Sequence, residues 1–189
     1  MTERTRLFDV RRRLQPASRA VLHDLIRSAI GQEGSPQARW ELVPERAFAI
    51  PLVKNGTLEQ VKREGQAGWP KLMRRVEAGV TRLPVRPSVL ALGSIGLSVV
   101  QREGRPHHVI TARPVTDEVV GAERRALART LQYAGELPTL PEVVEDEPFM
   151  LVRLPLEEDS LPHAEALHAR LNGRVPLSLG LSLPVPHYI

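Results

Sequence analysis

Histidine is the first residue type to consider for chemistry, because its side chain transfers protons near neutral pH. The sequence contains six histidines. His163 and His168 lie five positions apart, which places them about 140° apart around a helix, so they do not form the metal-binding HExxH motif. His107 and His108 are neighbours in a predicted strand and therefore point to opposite faces. These spacings predict no catalytic histidine pair.

Other residue types that commonly carry catalysis are absent or wrongly spaced. The sequence has no cysteine, which excludes thiol nucleophiles, disulfides and thiolate zinc sites. The acidic runs 145–147 and 157–159 lack the spacing of a calcium loop, and no glycine-rich phosphate loop or GxSxG motif occurs. The sequence therefore predicts no catalytic residue, no metal site and no cofactor.

Arginine is the residue type that stands out by number and by position. Of the 26 basic residues, only Lys54, Lys62 and Lys71 are lysines. Residues 1–135 contain 23 basic and 13 acidic side chains, whereas residues 136–189 contain three basic and nine acidic ones. Such an asymmetry indicates an anionic partner for the basic part of the chain.

Clustered arginines neutralise backbone phosphates, so we predict a non-catalytic protein that binds DNA or RNA with low sequence specificity. Two Trp, two Tyr and three Phe leave few platforms for base stacking, which disfavours recognition of single strands by their bases. The residues predicted to contact phosphates are Arg11, Arg12, Arg13, Arg74, Arg75, Arg102 and Arg105.

A structural or assembly subunit is the alternative function. In that case the basic and acidic faces pair between the subunits of a homo- or hetero-oligomer. A simpler interpretation of the charge asymmetry is that the acidic segment neutralises the basic one within a single molecule.

The elements that position these residues follow from hydrophobic periodicity and turn signals. The basic segment 4–14 is predicted to be a helix or a loose arm. A second helix pattern begins at the capping box of Thr57 and Gln60 and contains Pro70, which favours two short helices. Residues 87–115 predict a β-hairpin with its turn at 102–105. The remaining predicted elements are helices at 18–31, 116–134 and 160–171, and strands at 48–53, 149–156 and 176–185.

This order predicts an α+β fold of two ferredoxin-like β-α-β units behind an N-terminal helical segment. The predicted division is a basic arm and amphipathic helix at 1–36 and an α+β domain at 37–189. Within that domain, lobes at 46–115 and 136–189 are joined by the helix 116–134. The stretch Ser-x-Gly-Leu-Ser-x occurs at 94–99 and again at 178–183, which suggests an internal repeat.

Two such lobes resemble the architecture of the 2H phosphoesterases, which carry an H-x-T/S-x motif on a central strand of each lobe. The strands at the corresponding places here read Ser94-Ile-Gly-Leu and Ser178-Leu-Gly-Leu, so both histidines are missing. His108-Val-Ile-Thr111 has the right residue types with one residue too many between them. The resemblance covers about 46–189 and implies a degenerate relative; an enzyme built around His108 and Thr111 is the third alternative.

The sequence also bears on location. The N-terminal stretch has no apolar core after its charges, and no run approaches the roughly 18 apolar residues of a membrane span. We therefore expect a cytoplasmic protein without a membrane partner.

Overall fold

A computed structural model describes residues 8–33, 39–55, 58–82, 88–137, 139–145, 147–174 and 178–188, and the side chains of all of these except 55, 58–69 and 135. The first half of the chain contains β1 (Phe8–Leu14), α1 (Pro16–Glu33), β2 (Glu41–Leu42), a 3-10 turn (Glu45–Ala47), β3 (Ala49–Asn55), α2 (Leu58–Thr81) and β4 (Ser88–Arg102). The second half contains β5 (Arg105–Pro114), α3 (Glu118–Gly135), β6 (Glu142–Val143), β7 (Phe149–Pro155), α4 (Ser160–Asn172) and β8 (Ser178–Tyr188).

The eight strands form one antiparallel sheet in the order β2-β7-β5-β4-β8-β1-β3-β6. Together with the four helices this confirms the predicted α+β class. α1 packs against α4, and α2 packs against α3. Each helix pair covers one buried cluster, the first containing Leu22, Ile110 and Leu167 and the second containing Val10 and Leu131.

The predicted hairpin is confirmed in its position and its turn. Arg102 and Arg105 are the last residues paired between β4 and β5. Glu103 and Gly104 between them have φ of 53° and 75°. Two successive positive φ angles define the type I′ turn, whose twist matches that of the flanking strands.

The N-terminal segment was expected to be a helix or a loose arm, and within the described residues this is wrong. Phe8–Leu14 is a strand, β1, hydrogen-bonded to β3 on one side and to β8 on the other. Phe8, Val10 and Leu14 point into the core, and the inward position between them is filled by Arg12, which is 2% exposed. An arginine at a buried position breaks the apolar alternation that identifies a strand.

The second helix also differs from the prediction. α2 runs without a break from Leu58 to Thr81 with Pro70 inside it, where two short helices were expected. The capping residue proposed for it, Thr57, lies outside the described residues. Buried Leu72 and Val76 dock the C-terminal half of α2 on the second cluster, and this packing outweighs the local cost of the proline.

Strand β8, which contains Gly180, meets β4 at the centre of the sheet. Only Ser88–Ala91 of β4 pairs with Ser178–Leu181 of β8. Gly180 lies in this seam, where its N–H donates to Ser18 Oγ at 2.7 Å and its carbonyl accepts from the N–H of Gln15 at 2.7 Å. A Cβ at this position would collide with the Gln15 side chain. The missing side chain therefore leaves room for the side chains of Gln15 and Ser18 beside the strand.

Tyr188 ends β8 against α2. Its hydroxyl donates to the carbonyl of Met73 at 3.2 Å, and its ring lies 6.4 Å from that of Phe8. Burial and the neighbouring Glu77 carboxylate raise the pKa of Tyr188 from 10.0 to about 12. The phenol therefore stays neutral at any physiological pH and acts as a hydrogen-bond donor between strand and helix.

No helix within the described ranges has both the length and the apolar character needed to cross a membrane.

Candidate nucleic-acid interface

A cleft of about 610 Å³ opens between the two halves of the sheet. β3 and β7 both line it, although each is the second strand from opposite ends of the sheet. The sheet must therefore curve strongly to bring these strands to face each other. The turn of the β4–β5 hairpin closes a further side of the cleft. The charged lining residues are Asp9, Arg11, Glu41, Lys54, Arg102, Glu103, Glu147 and Arg153.

Arg11 is held in a fixed orientation by the carboxylate of Asp9. Its Nε and Nη2 donate to the two oxygens of that carboxylate, both at 2.6 Å. Asp9 is 1% exposed, and His187 Nδ1 lies 3.7 Å from its Oδ1. A bidentate pair fixes the plane of a guanidinium, so Arg11 projects into the cleft with little rotational freedom to lose on binding a ligand.

Two further cations of the cleft are paired with carboxylates at its rim. Lys54 on β3 is 8% exposed and contacts Glu147 through its ammonium group. The Nε of Arg153 on β7 donates to Glu41 of the edge strand β2. The lining thus contains as many carboxylates as cations: Asp9 is buried on β1, and Glu41, Glu103 and Glu147 lie at the rim.

The structure brings some of the predicted arginines together at the cleft. Arg11 and Arg102 line it, and Arg105 is exposed directly across the hairpin from Arg102. Arg13 is exposed two positions after Arg11 on the same strand. These four arginines therefore belong to one side of the molecule.

The other three predicted arginines lie elsewhere. Arg12 is buried, with its Nε donating to the Ser182 carbonyl at 2.9 Å and its Nη1 donating to Glu123 at 3.0 Å. Arg75 of α2 pairs with Glu136 after α3 at 3.3 Å, and Arg74 is exposed on α2. The phosphate contacts predicted for these three residues stay predictions, and the cleft does not depend on them.

Charges of the basic and acidic segments pair within one molecule. Lys54 contacts Glu147, and Arg75 contacts Glu136. These pairs join residues before 136 to residues from 136 onward, as expected if the two segments neutralise each other within a single molecule. Self-association of the chain stays a prediction.

Lys54 and Arg153 were not among the predicted site residues. Each is a single basic residue within or at the end of an apolar strand, in the stretches 48–54 and 149–154. The search for clusters of arginines passed over them for that reason. A usable signal was available, because a lone charged residue in an otherwise apolar strand must have either a partner or a cleft.

His108 and Thr111, around which the enzyme alternative is built, have separate neighbours, and that alternative stays a prediction. His108 is 5% exposed and its Nε2 lies 3.0 Å from Ser160 Oγ of α4. Thr111 lies opposite Gly96 on β4, and its hydroxyl lies close to Gly96. In the described part of the chain, no three side chains of His, Asp or Glu are grouped to bind a metal ion.

Comparison with known proteins gives little support for an assignment. No model of a protein family matches the chain, and no curated protein matches it. Among solved structures, the chain is similar to Usb1 of Kluyveromyces marxianus, with a TM-score of 0.45 and 10% sequence identity. The match covers 97% of this chain and 98% of the other. At this level of similarity the match carries no argument about function.

Proposed function

We propose that the protein binds nucleic acid without cleaving it, through the cleft between the two halves of its sheet. The observation that carries this proposal is the convergence of four cations, Arg11, Lys54, Arg102 and Arg153, from four strands on one cleft. The strands that supply them lie in both halves of the sheet, so their meeting is a property of the fold and not of one basic segment.

The chemistry of the lining favours contacts to the phosphate backbone. Guanidinium groups donate two parallel hydrogen bonds to a phosphate, and Arg11 is already oriented for such a contact by Asp9. Arg102 and Arg105 at the hairpin extend the positive surface beyond the cleft. Because these groups contact phosphates and not base edges, the expected binding is weakly dependent on sequence.

Exposed arginines at the hairpin allow a test that leaves the fold intact. We expect the double substitution Arg102→Ala and Arg105→Ala to weaken binding of labelled DNA and RNA oligonucleotides. The slope of log affinity against log salt should also become shallower, by about one unit for each phosphate that the variant no longer neutralises. Fluorescence anisotropy at several salt concentrations measures both quantities.

Arg129→Ala is the matched control, because Arg129 is an exposed arginine on α3, does not line the cleft and is not among the predicted phosphate contacts. It should bind as the unchanged protein does. The absence of binding even at low salt would refute the proposal, and an equal loss in the control would place the interface elsewhere.

We also propose that the two halves of the chain are copies of one ferredoxin-like β-α-β-β-α-β unit. In support, 8–102 and 105–188 present the same order of strands and helices. The pairing of β1 with β3 is irregular between Val10 and Arg11, and that of β5 with β7 is irregular between Ile110 and Thr111. The copies exchange edge strands, because β2 pairs with β7 and β6 pairs with β3.

This proposal moves the boundary between the halves to the hairpin turn, away from the predicted lobes at 46–115 and 136–189. It also changes the register of the repeat. Leu14 pairs with Leu181 of β8, as Pro114 pairs with Leu92 of β4. In that register the two Ser-x-Gly-Leu-Ser-x stretches are several positions out of step, so they are not equivalent.

A circular permutant tests the structural part of this proposal. Phe8 and Tyr188 pair across β1 and β8, as Arg105 and Arg102 pair across the hairpin. We expect a chain with its ends joined by a short linker and opened between Glu103 and Gly104 to fold with the same circular dichroism, because exposed turn tips tolerate new termini. A permutant opened between Ile110 and Thr111, inside β5, should not fold. If neither permutant folds, the hairpin turn and the junction of the two chain ends are not equivalent connections between the halves.

A further inference from the structure

We propose that Lys54 and Arg153 form two phosphate subsites, each closed in the free protein by a carboxylate that nucleic acid displaces. The closing carboxylates are those of Glu147 and Glu41. This inference rests on the proposed function and identifies which groups of the cleft receive the phosphates.

Lys54 is a buried cation whose ammonium group is already paired with a carboxylate. It is the last cleft-lining residue of β3, and on that strand it lies next to Asp9 of β1 and Glu142 of β6. Its ammonium group contacts Glu147. Lys54 is 8% exposed as a residue, whereas the side chain of Glu147 is 44% exposed. The cation is therefore fixed in the wall, and its partner lies at the solvent-facing rim.

Arg153 repeats this arrangement on the opposite wall. It lies on β7, between Val109 of β5 and Glu41 of the two-residue strand β2. Its guanidinium binds Glu41, whose side chain is 42% exposed while that of Arg153 is 25% exposed. Here too a partly buried cation on an inner strand carries a more exposed carboxylate as its partner.

The two subsites occupy equivalent positions of the strand pairings. Lys54 pairs with Glu142 between β3 and β6, and Arg153 pairs with Glu41 between β7 and β2. In both cases a cation on the inner strand lies beside a glutamate of a short edge strand. That glutamate, Glu41, closes the Arg153 subsite, whereas Lys54 is closed by Glu147 from the segment before β7. A pair of matched cations on facing walls suits a ligand with repeated, regularly spaced anions, as a phosphodiester backbone provides.

Exchange of one anion for another explains why the carboxylates are present. A cation that is largely buried without a partner is costly, so the free protein requires an anion at each subsite. A phosphate oxygen replaces a carboxylate oxygen without leaving either cation unpaired. The released glutamate returns to water, which costs little because its side chain is already partly exposed. The rim glutamates therefore compete with the ligand and set its affinity.

Neutralising the rim carboxylates should consequently strengthen binding. We expect Glu147→Gln and Glu41→Gln each to raise the affinity for a labelled oligonucleotide by about threefold, the scale of a partly exposed ion pair. Glu118→Gln is the matched control, because Glu118 is 86% exposed and pairs with Arg125 on α3, away from the cleft. Lys54→Ala added to Glu147→Gln should abolish the gain. Urea unfolding of each variant verifies that the fold is retained.

The outcomes separate this inference from the proposed function. Tighter binding by Glu147→Gln and by Glu41→Gln, with no change in Glu118→Gln, supports the subsites. Binding that is the same in the unchanged protein and in the two variants overturns the subsites and leaves nucleic-acid binding standing. A gain that survives Lys54→Ala also overturns them, since the effect is then one of net charge. If neither the unchanged protein nor the double glutamine variant binds, the proposed function itself fails.

Discussion

Phe48→Ala is expected to lower the free energy of unfolding by about 3–5 kcal/mol, the cost of removing a large aromatic side chain from a packed core. Phe48 is 0% exposed and its ring meets that of Phe149 at a centroid distance of 6.2 Å in an edge-to-face arrangement. Its carbonyl also accepts the N–H of Leu14 at 3.2 Å. The loss is a large part of the roughly 5–15 kcal/mol that stabilises a typical domain.

The substitution reaches the cleft as well, because Phe149 is one of its lining residues. A void behind Phe149 removes the support of that wall, so weaker oligonucleotide binding should accompany the lower stability. Urea denaturation followed by circular dichroism measures the change. Tyr133→Ala provides the matched control: this aromatic residue is 83% exposed on α3, and its loss should change stability by less than about 0.5 kcal/mol. Equal effects of the two substitutions would contradict the packing described for Phe48.

Elements defined by local signals could be predicted from the sequence. α3 is an example, since its start depends on a short-range cap: the Asp117 side chain accepts the N–H of Val120 at 2.9 Å, one residue after the predicted cap at Thr116. The hairpin at 102–105 is another, because Glu-Gly in the turn permits the two positive φ angles that a tight connection needs. In both cases the deciding contacts lie within a few residues of each other.

Features that depend on distant contacts could not be predicted. β1 was missed because the residue that contradicts its pattern, Arg12, is satisfied by Ser182 and Glu123 far along the chain. The edge strands β2 and β6 have two residues each, too few for any periodicity. Their pairing with β7 and β3 depends on the whole sheet.

The cleft was beyond prediction for the same reason. Its walls come from β3 and β7, which are far apart in the strand order. No local sequence pattern indicates the sheet curvature that brings these two strands face to face. Counting arginines named Arg11 and Arg102, which both line the cleft. It gave equal weight to Arg12, since charge composition does not distinguish a buried guanidinium from an exposed one.

Arg12 and Arg13 are adjacent, but their substitution should have opposite effects on stability and on nucleic-acid binding. Arg12→Ala removes the donors to the Ser182 carbonyl and to Glu123, leaving a strand carbonyl and a carboxylate without them. We expect it to lower the free energy of unfolding by about 3 kcal/mol. Arg13→Ala alters an exposed side chain, so its effect on stability should stay within about 0.5 kcal/mol.

For oligonucleotide binding we expect the reverse: Arg13→Ala should have the larger effect and Arg12→Ala the smaller one. Once the unfolded fraction is taken into account, Arg12→Ala should retain its affinity for oligonucleotides, because its guanidinium lies against β8 and α3 and not in the cleft. Arg13→Ala should lose affinity, and most strongly at low salt, where phosphate contacts contribute most. Urea unfolding and anisotropy titrations on both proteins give the four values needed. If Arg12→Ala were as stable as the unchanged protein and bound more weakly, the buried placement of Arg12 would be wrong, and the arginine cluster 11–13 would act as one phosphate-binding surface.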